Sequence, residues 1–176
     1  MMHRAGCIIC CGILLASCLP ARDVNALLYR VDAGVYRGRQ PDRSDIPKLA
    51  EAGIKTVLDL RGFAHKDWEE AAVETAGLRY VRIGLSGFFP PSTSQIDHVL
   101  AILEDPTLAP VFVHCRRGAD RSGVVIACYR IVHDHWTNEE AMKEAREQGF
   151  SGLEVLMERY IRHFHTSAAS GQGESR

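Results

Sequence analysis

The sequence carries almost no net charge. Its 21 Lys and Arg residues are matched by 22 Asp and Glu, which leaves a formal charge of −1. A protein that binds a nucleic acid usually presents a strongly basic surface to the phosphate backbone. The composition therefore gives no electrostatic basis for a nucleic-acid partner, and we expect none.

Long apolar runs are also scarce. The pronounced run, Ala5–Ala16, follows a weakly positive start at His3 and Arg4. It is shorter than the ~20 residues of a transmembrane helix, and this pattern is typical of a targeting segment. The predicted organisation is a signal peptide of lipoprotein type at 1–17, a tether at 18–26, one domain at 27–165 and a Ser- and Gly-rich disordered tail at 166–176.

The end of the targeting segment suggests how the chain is processed. Its residues Leu15-Ala16-Ser17-Cys18 resemble the lipobox of bacterial lipoproteins, in which the cysteine becomes the lipidated first residue. This predicts an extracytoplasmic, periplasmic protein anchored in the membrane through Cys18. Cleavage near Ala26, which gives a soluble secreted or periplasmic protein, and a retained signal anchor are the alternatives.

Cysteine is rare beyond the targeting segment. Only Cys115 and Cys128 follow Cys18, too few for a disulfide framework. Cys128 stands six positions beyond Ser122 on a predicted helix, a rise of ~9 Å, too far for a comfortable disulfide to Cys115. We expect Cys128 to be a core residue.

The sequence also lacks a convincing set of metal ligands. The pairs His133/His135 and His163/His165 have no cysteine or carboxylate at the intervals of structural metal sites. Helical residues two positions apart also point to different faces. We expect no metal and no cofactor.

Residues 111–123, in contrast, concentrate several features of a functional site. Here an apolar strand, a tight polar loop and a helix start follow one another directly. Such a turn leaves backbone N–H groups pointing into one concavity, with the positive end of the helix dipole behind them. Cys115 begins the loop and Arg121 ends it, which places a nucleophile and a two-pronged clamp around an anion. The segment predicts a phosphate site.

The same geometry predicts the chemistry of Cys115. Loop N–H groups and the helix start favour the thiolate, and can lower the pKa of a thiol from ~8.5 to below neutral. Ser122 stands where its hydroxyl could bond the sulfur and stabilise it as a leaving group. Gly118 permits a turn that a Cβ would hinder. A buried structural thiol is the plain alternative for Cys115.

The spacing also carries a family resemblance. His114-Cys115, then Gly118, then Arg121-Ser122-Gly123 match the HCxxGxxR(S/T)G signature and resemble cysteine-based protein tyrosine and dual-specificity phosphatases. Other segments are similar to compact bacterial dual-specificity enzymes and to the periplasmic TpbA-like tyrosine phosphatase group: Leu28–Val31, Val35–Gly38, Gln40-Pro41, Gly53–Val57, Tyr129–Val132 and Trp136.

This resemblance implies a hydrolase that cleaves phosphate monoesters through a cysteinyl phosphate, without a metal. Phosphotyrosine protein is the implied substrate. A phosphoinositide or inositol-polyphosphate phosphatase is the alternative within enzymes. A phosphate-binding module without turnover is the alternative outside them.

The general acid is the part of the mechanism that the sequence supplies least clearly. Relatives usually provide an aspartate from a loop that corresponds to residues 84–91, which contains no acid here. Asp120, inside the phosphate loop, is the candidate, because the CxxGxDR loops of bacterial lipid-active phosphatases and myotubularins resemble it. The alternative for Asp120 is an ion pair with a neighbouring arginine.

Several neighbours should support the site. His114 is expected to order the loop through hydrogen bonds, while Arg116 and Arg117 should project outward and grip further negative groups or remain solvated. Arg61 is either directed at the site or paired on the surface. The predicted phosphate-binding residues are Arg116, Arg117, Gly118, Ala119, Asp120 and Arg121, and the predicted catalytic residues are Cys115, Asp120, Arg121 and Ser122.

The order of elements indicates the fold. Helical patterns alternate with buried strands, which predicts an α/β domain with a central, mostly parallel sheet of four to five strands flanked by helices. In such a sheet the ligand lies at the carboxyl ends of the strands, where the Cys115 loop begins. Phe88 and Phe89 should be exposed in a nearby loop, at the pocket rim or as hydrophobic anchors.

Overall fold

The computed structural model describes residues 27–63, 66–152 and 155–165. The predicted signal peptide at 1–17, the tether with Cys18 and the tail at 166–176 lie outside the described residues. Within them the strands are β1 (Tyr29–Arg30), β2 (Val35–Arg39), β3 (Thr56–Arg61), β4 (Arg79–Leu85) and β5 (Val111–Cys115). The helices are α1 (Ile46–Glu51), α2 (Asp67–Thr75), α3 (Thr93–Glu104), α4 (Asp120–His133), α5 (Asn138–Glu147) and α6 (Val155–Arg162).

The five strands form one sheet in the order β1-β2-β5-β3-β4. Strand β1 runs antiparallel to β2, and the other neighbouring pairs are parallel. Because the parallel strands end at the same side, the loops after β2, β3, β4 and β5 meet at one edge, which we call the carboxyl edge. This confirms the predicted α/β fold with a central, mostly parallel sheet.

Helices cover both faces of the sheet, and the alternation of side chains along each strand decides what each face receives. Val111 and Val113 of β5 and Leu58 of β3 join the larger core, beneath α3, α4, α5 and α6. Phe112 and Val57 face the other way and join the smaller core, beneath α1 and α2. Both central strands are buried throughout, as their nearly continuous apolar sequences predict.

Capping residues and one residue with a positive φ determine where several helices begin or end. Ser92 with Gln95 and Thr137 with Glu140 form the capping boxes that begin α3 and α5, as expected from sequence. The helix after the phosphate loop ends at His133 rather than near Trp136, because His135 takes a positive φ of 58° and breaks the helical path.

The helices of the described residues are all too short or too polar to span a bilayer. Their role in the fold is to bury the two faces of the sheet. What remains open is the carboxyl edge, where β5 passes into the loop of residues 116–119 and then into α4.

Candidate active site

The phosphate loop connects β5 to α4 and is fixed by close packing against β2. Gly118 has a φ of 75°, and a Cβ placed there would lie 2.6 Å from the backbone nitrogen of Arg39. Only glycine satisfies both the left-handed backbone and the lack of space. Ala119 occupies the N-cap position of α4, and its methyl side chain leaves the first N–H groups of that helix available to an anion.

Cys115 lies at the bottom of this loop and is almost fully buried. Its Sγ is 3.6 Å from Oγ of Ser122, which is itself buried. Burial opposes ionisation, but hydrogen bonds from the backbone and hydroxyl of Ser122, the charge of Arg121 and the backbone of Gly118 outweigh it, so the pKa of Cys115 falls below its usual value. The site therefore favours the thiolate form of Cys115, the form that acts as a nucleophile.

Arg37 braces the loop from behind. Its Nη2 donates hydrogen bonds to the carbonyl oxygens of Gly118 at 2.8 Å and Ala119 at 3.1 Å. By tying these carbonyls to the rear, Arg37 favours the orientation in which the loop N–H groups face forward. The guanidinium is buried, and its desolvation lowers the pKa of Arg37 below the usual value.

Arg37 was not among the residues predicted from the sequence to belong to the site. The signal was the alternation along β2, in which Val35 and Arg37 share one face and are both buried. An arginine on the inward face of a strand requires polar partners, and the phosphate loop supplies them.

Asp120 is held by two partners. Its Oδ1 accepts a hydrogen bond from the backbone N–H of Ser151 at 3.0 Å, and its Oδ2 pairs with Nη2 of Arg117. Burial would raise the pKa of Asp120, but the bond from Ser151 and the pairing with Arg117 lower it below the usual value. The carboxyl group is thus ionised at neutral pH, in the arrangement expected of the ion-pair alternative.

A buried network of charges lies under the nucleophile, on the side of α2. Asp59, Arg61, Glu69 and His114 are all completely buried. Arg61 donates to both oxygens of Asp59, from Nε at 2.8 Å and from Nη2 at 2.7 Å, and Nη2 also pairs with Glu69. Nε2 of His114 lies 2.8 Å from Oε1 of Glu69, outside the angular range of a hydrogen bond. His114 is therefore fixed by an ionic neighbour rather than by the predicted hydrogen bonds to the loop.

Arg61 was expected either to point at the site or to form an ion pair on the surface. Its side chain does neither, because it lies in this buried network. Burial would lower the pKa of Arg61, but its bonds to Asp59 and the charge of Glu69 raise it, so the guanidinium stays charged. Ligand atoms of Asp59, Glu69 and His114 lie within 4.8 Å of one another, a spacing that a metal ion could use. Arg61 contacts both carboxylates and supplies the compensating positive charge itself.

Glu69 was also not predicted from the sequence to lie near the site. It shares the buried face of α2 with Val73, at a spacing of four residues. A glutamate on the inward stripe of a helix is a signal of a buried ion pair, because a carboxylate rarely stays buried without a partner.

The other residues singled out in the sequence are either exposed or buried in the core. Arg116 and Arg117 are exposed in the loop, and Cys128 is buried in α4 as a core residue. Cys115 and Cys128 are both free thiols. Phe88 and Phe89 are exposed, and Phe89 lines a groove between α3 and α6 rather than the phosphate loop.

Residues 24–163 match the model of the family described as DSP-PTPase phosphatase fused to NAD+ kinase. The dual specificity protein phosphatase TpbA of Pseudomonas aeruginosa is 30% identical over 136 residues, which cover 74% of this chain and 58% of TpbA. The inositol diphosphatase DSP1 of Oryza sativa is 31% identical over 104 residues, which cover 57% of this chain and 47% of that protein. The chain thus spans about half the length of these relatives.

Solved structures show the same fold. The catalytic domain of the PP-IP phosphatase SIW14 from S. cerevisiae superposes with a TM-score of 0.73 at 23% identity, over 82% of this chain and 88% of that one. At this identity the likeness concerns the arrangement of strands and helices only.

The electrostatics of Cys115 yield a first prediction. The folded protein is alkylated at a series of pH values, and the modified peptide that contains Cys115 is quantified by mass spectrometry. The rate of alkylation should rise with a midpoint below the ~8.5 of an ordinary thiol. Ser122→Ala should move this midpoint upward, because it removes one of the groups that stabilise the thiolate. Cys128, whose pKa burial raises, is the internal control and should stay unmodified. A midpoint for Cys115 at or above 8.5 would refute the thiolate.

Proposed function

Because the chain belongs to the family of dual-specificity-type protein tyrosine phosphatases described as fused to NAD+ kinase, we propose that it hydrolyses phosphate monoesters through a cysteinyl phosphate. The observation that carries the proposal is the environment of Cys115, whose Sγ faces the N–H groups of Gly118 and Ser122 and the charge of Arg121. The favoured substrate is a phosphotyrosine side chain of a protein.

In the first step Sγ of Cys115 attacks phosphorus, an S–P bond forms and the bond from phosphorus to the leaving oxygen breaks. Arg121 and the loop N–H groups neutralise the charge on the phosphoryl oxygens. The leaving oxygen takes a proton, for which Asp120 is the candidate donor. Asp59 and Glu69 are not candidates, since both are fully buried and bound to Arg61.

In the second step water attacks phosphorus, its proton passes to the carboxylate of Asp120, and the S–P bond breaks. The product is inorganic phosphate and the regenerated Cys115 thiolate, which the hydroxyl of Ser122 stabilises as it leaves. An ionised Asp120 suits this base role directly. For the first step the same carboxyl group must be protonated. Because the pKa of Asp120 is lowered, the protonated fraction is small and decreases further as the pH rises.

A second substrate class has a specific observation in its favour. A pocket of about 400 Å³ adjoins Gly118 of the phosphate loop, and three arginines line it, Arg37, Arg39 and Arg117. Arg37 is bound to the loop carbonyls, but Arg39 and Arg117 are partly exposed and, by exchanging their carboxylate partners Asp45 and Asp120 for a phosphate, favour a substrate with more than one phosphate, such as an inositol polyphosphate. Turnover of a panel that contains a phosphotyrosine peptide, a phosphoinositide and an inositol polyphosphate ranks these alternatives.

The proposed mechanism requires Cys115 and tolerates changes at the other described cysteine. Cys115→Ser should abolish release of phosphate from an aryl phosphate, while phosphate or vanadate still binds, because Arg121 and the backbone N–H groups remain. Cys128→Ala is the matched control and should keep its activity. Hydrolysis by Cys115→Ser at the rate of the parent would exclude covalent catalysis, and loss of activity in both variants would indicate a structural effect.

The role of Asp120 follows from the basicity of the leaving oxygen. The phenol of tyrosine has a pKa of ~10 and needs protonation, whereas an activated aryl phosphate barely does. Asp120→Asn should therefore slow phosphoenzyme formation from phosphotyrosine by roughly 10²–10⁴, and from the activated ester far less. For the parent, the single-turnover rate with phosphotyrosine should fall as the pH rises above the pKa of Cys115, because the thiolate is then fully formed while the protonated fraction of Asp120 continues to decrease. If the rate of phosphoenzyme formation falls equally with both substrates, Asp120 is not the general acid and serves only to pair with Arg117.

We also propose that the protein is extracytoplasmic and held at a membrane by acyl chains on Cys18. The support is the sequence Leu15-Ala16-Ser17-Cys18, which resembles a lipobox. Mass spectrometry of the mature amino terminus should find an acylated Cys18, and Cys18→Ala should release or misprocess the protein. An unmodified terminus near Leu27 would exclude the lipid anchor and leave the proposed catalysis untouched.

A further inference from the structure

The large apolar side chains that the described residues expose are unevenly distributed. Five of the six belong to three segments near the phosphate loop, and we call these five the apolar rim: Phe63, Phe88, Phe89, Val155 and Leu156. Phe63 is fully exposed, Phe88 is 76% exposed and Val155 is 70% exposed. Single exposed apolar residues are ordinary, but a concentration of them around one site marks a contact surface.

The topology brings the three segments of the rim to the carboxyl edge. Phe63 follows β3, and Phe88 and Phe89 follow β4, whose ends touch, since a Cβ on Gly84 would lie 2.8 Å from Cα of Gly62. Leu156 of α6 lines the same groove as Phe89.

The segment that leads to α6 is itself attached to the phosphate loop. Ser151 donates its N–H to Asp120, and a Cβ on Gly123 would lie 3.2 Å from the ring of Phe150. The rim therefore belongs to the same side of the molecule as the entrance to Cys115.

The chemistry of this side matches an anionic bilayer. Exposed apolar side chains on separate loops can each enter the interfacial region, where aromatic rings are favoured. Arg116, exposed in the loop, offers positive charge to lipid headgroups at the same side. Arg159 adds a further cation in the groove that Phe89 and Leu156 line.

The place where the chain enters the domain favours the same partner. Leu27 lies beside Gly38 and Arg117 at the carboxyl edge, in the pocket next to the phosphate loop. The eight residues 19–26 reach at most ~28 Å when fully extended. An anchor at Cys18 would thus join the domain at this edge, within ~28 Å of the lipid surface.

We propose that the apolar rim docks on an anionic membrane surface and turns the phosphate loop toward it. The substrate phosphate is then presented at the bilayer, on a membrane protein or on a lipid. Docking is separate from catalysis, so vesicle binding tests it whether or not the protein hydrolyses phosphate esters.

The test uses the chain from residue 19 onward, which carries neither the acyl chains of Cys18 nor the apolar run Ala5–Ala16, and co-sedimentation with phosphatidylcholine vesicles that contain phosphatidylglycerol. This protein should bind, and adding Phe63→Ser, Phe88→Ser and Leu156→Ser should weaken binding at least tenfold. Hydrolysis of a small soluble aryl phosphate should be unchanged in that variant, because the three side chains lie outside the phosphate loop. Leu108→Ser is the matched control and should bind like the parent, because Leu108 is a partly buried apolar residue that precedes β5, at the end of the sheet opposite the carboxyl edge.

Two results would overturn the proposal. One is a parent protein that stays in the supernatant at every lipid concentration, and the other is a triple variant that binds vesicles as well as the parent. If the parent does not bind vesicles and the triple variant loses hydrolysis only of a folded phosphoprotein, the rim is a protein-docking surface instead.

Discussion

The packing of Gly118 against the end of β2 is the constraint on which the phosphate loop depends. It allows the backbone to turn through a left-handed residue directly beside Arg39, with no space for a side chain. From this turn the N–H groups of the loop converge on Cys115, and α4 begins immediately beyond it. Because the backbone holds the thiolate, the site is already formed in the folded chain and needs little rearrangement to receive a phosphate.

Two sets of buried charges hold the loop from its two sides. On one side Arg37 binds the carbonyls of Gly118 and Ala119, and on the other the network of Asp59, Arg61 and Glu69 adjoins His114. Buried charges are costly unless they are paired, so each set is a specific device rather than a general source of stability. Their shared consequence is that the residues before and after Cys115 have one defined position.

The sequence predicts the parts of this structure that local chemistry controls. The alternation of apolar strands and amphipathic helices was sufficient for the fold, and the spacing from Cys115 to Arg121 located the phosphate loop. The sequence did not reveal Arg37, because the carbonyl of Gly118 that it binds lies 81 residues away along the chain. It did not reveal Glu69 either, because the pairing of Glu69 with Arg61 depends on how α2 packs against the end of β3. Nor did it reveal that Asp120 is bound by Ser151, a contact that depends on how the segment before α6 returns to the loop.

The central claim is that Cys115 carries phosphate during turnover. The most direct measurement is mass spectrometry of the peptide that contains Cys115, after acid quenching during steady-state turnover of an aryl phosphate. The account predicts a phosphate on Cys115 that appears with substrate and disappears when the substrate is consumed. Turnover with unmodified Cys115 at every quench time, or with phosphate on another residue, would contradict it.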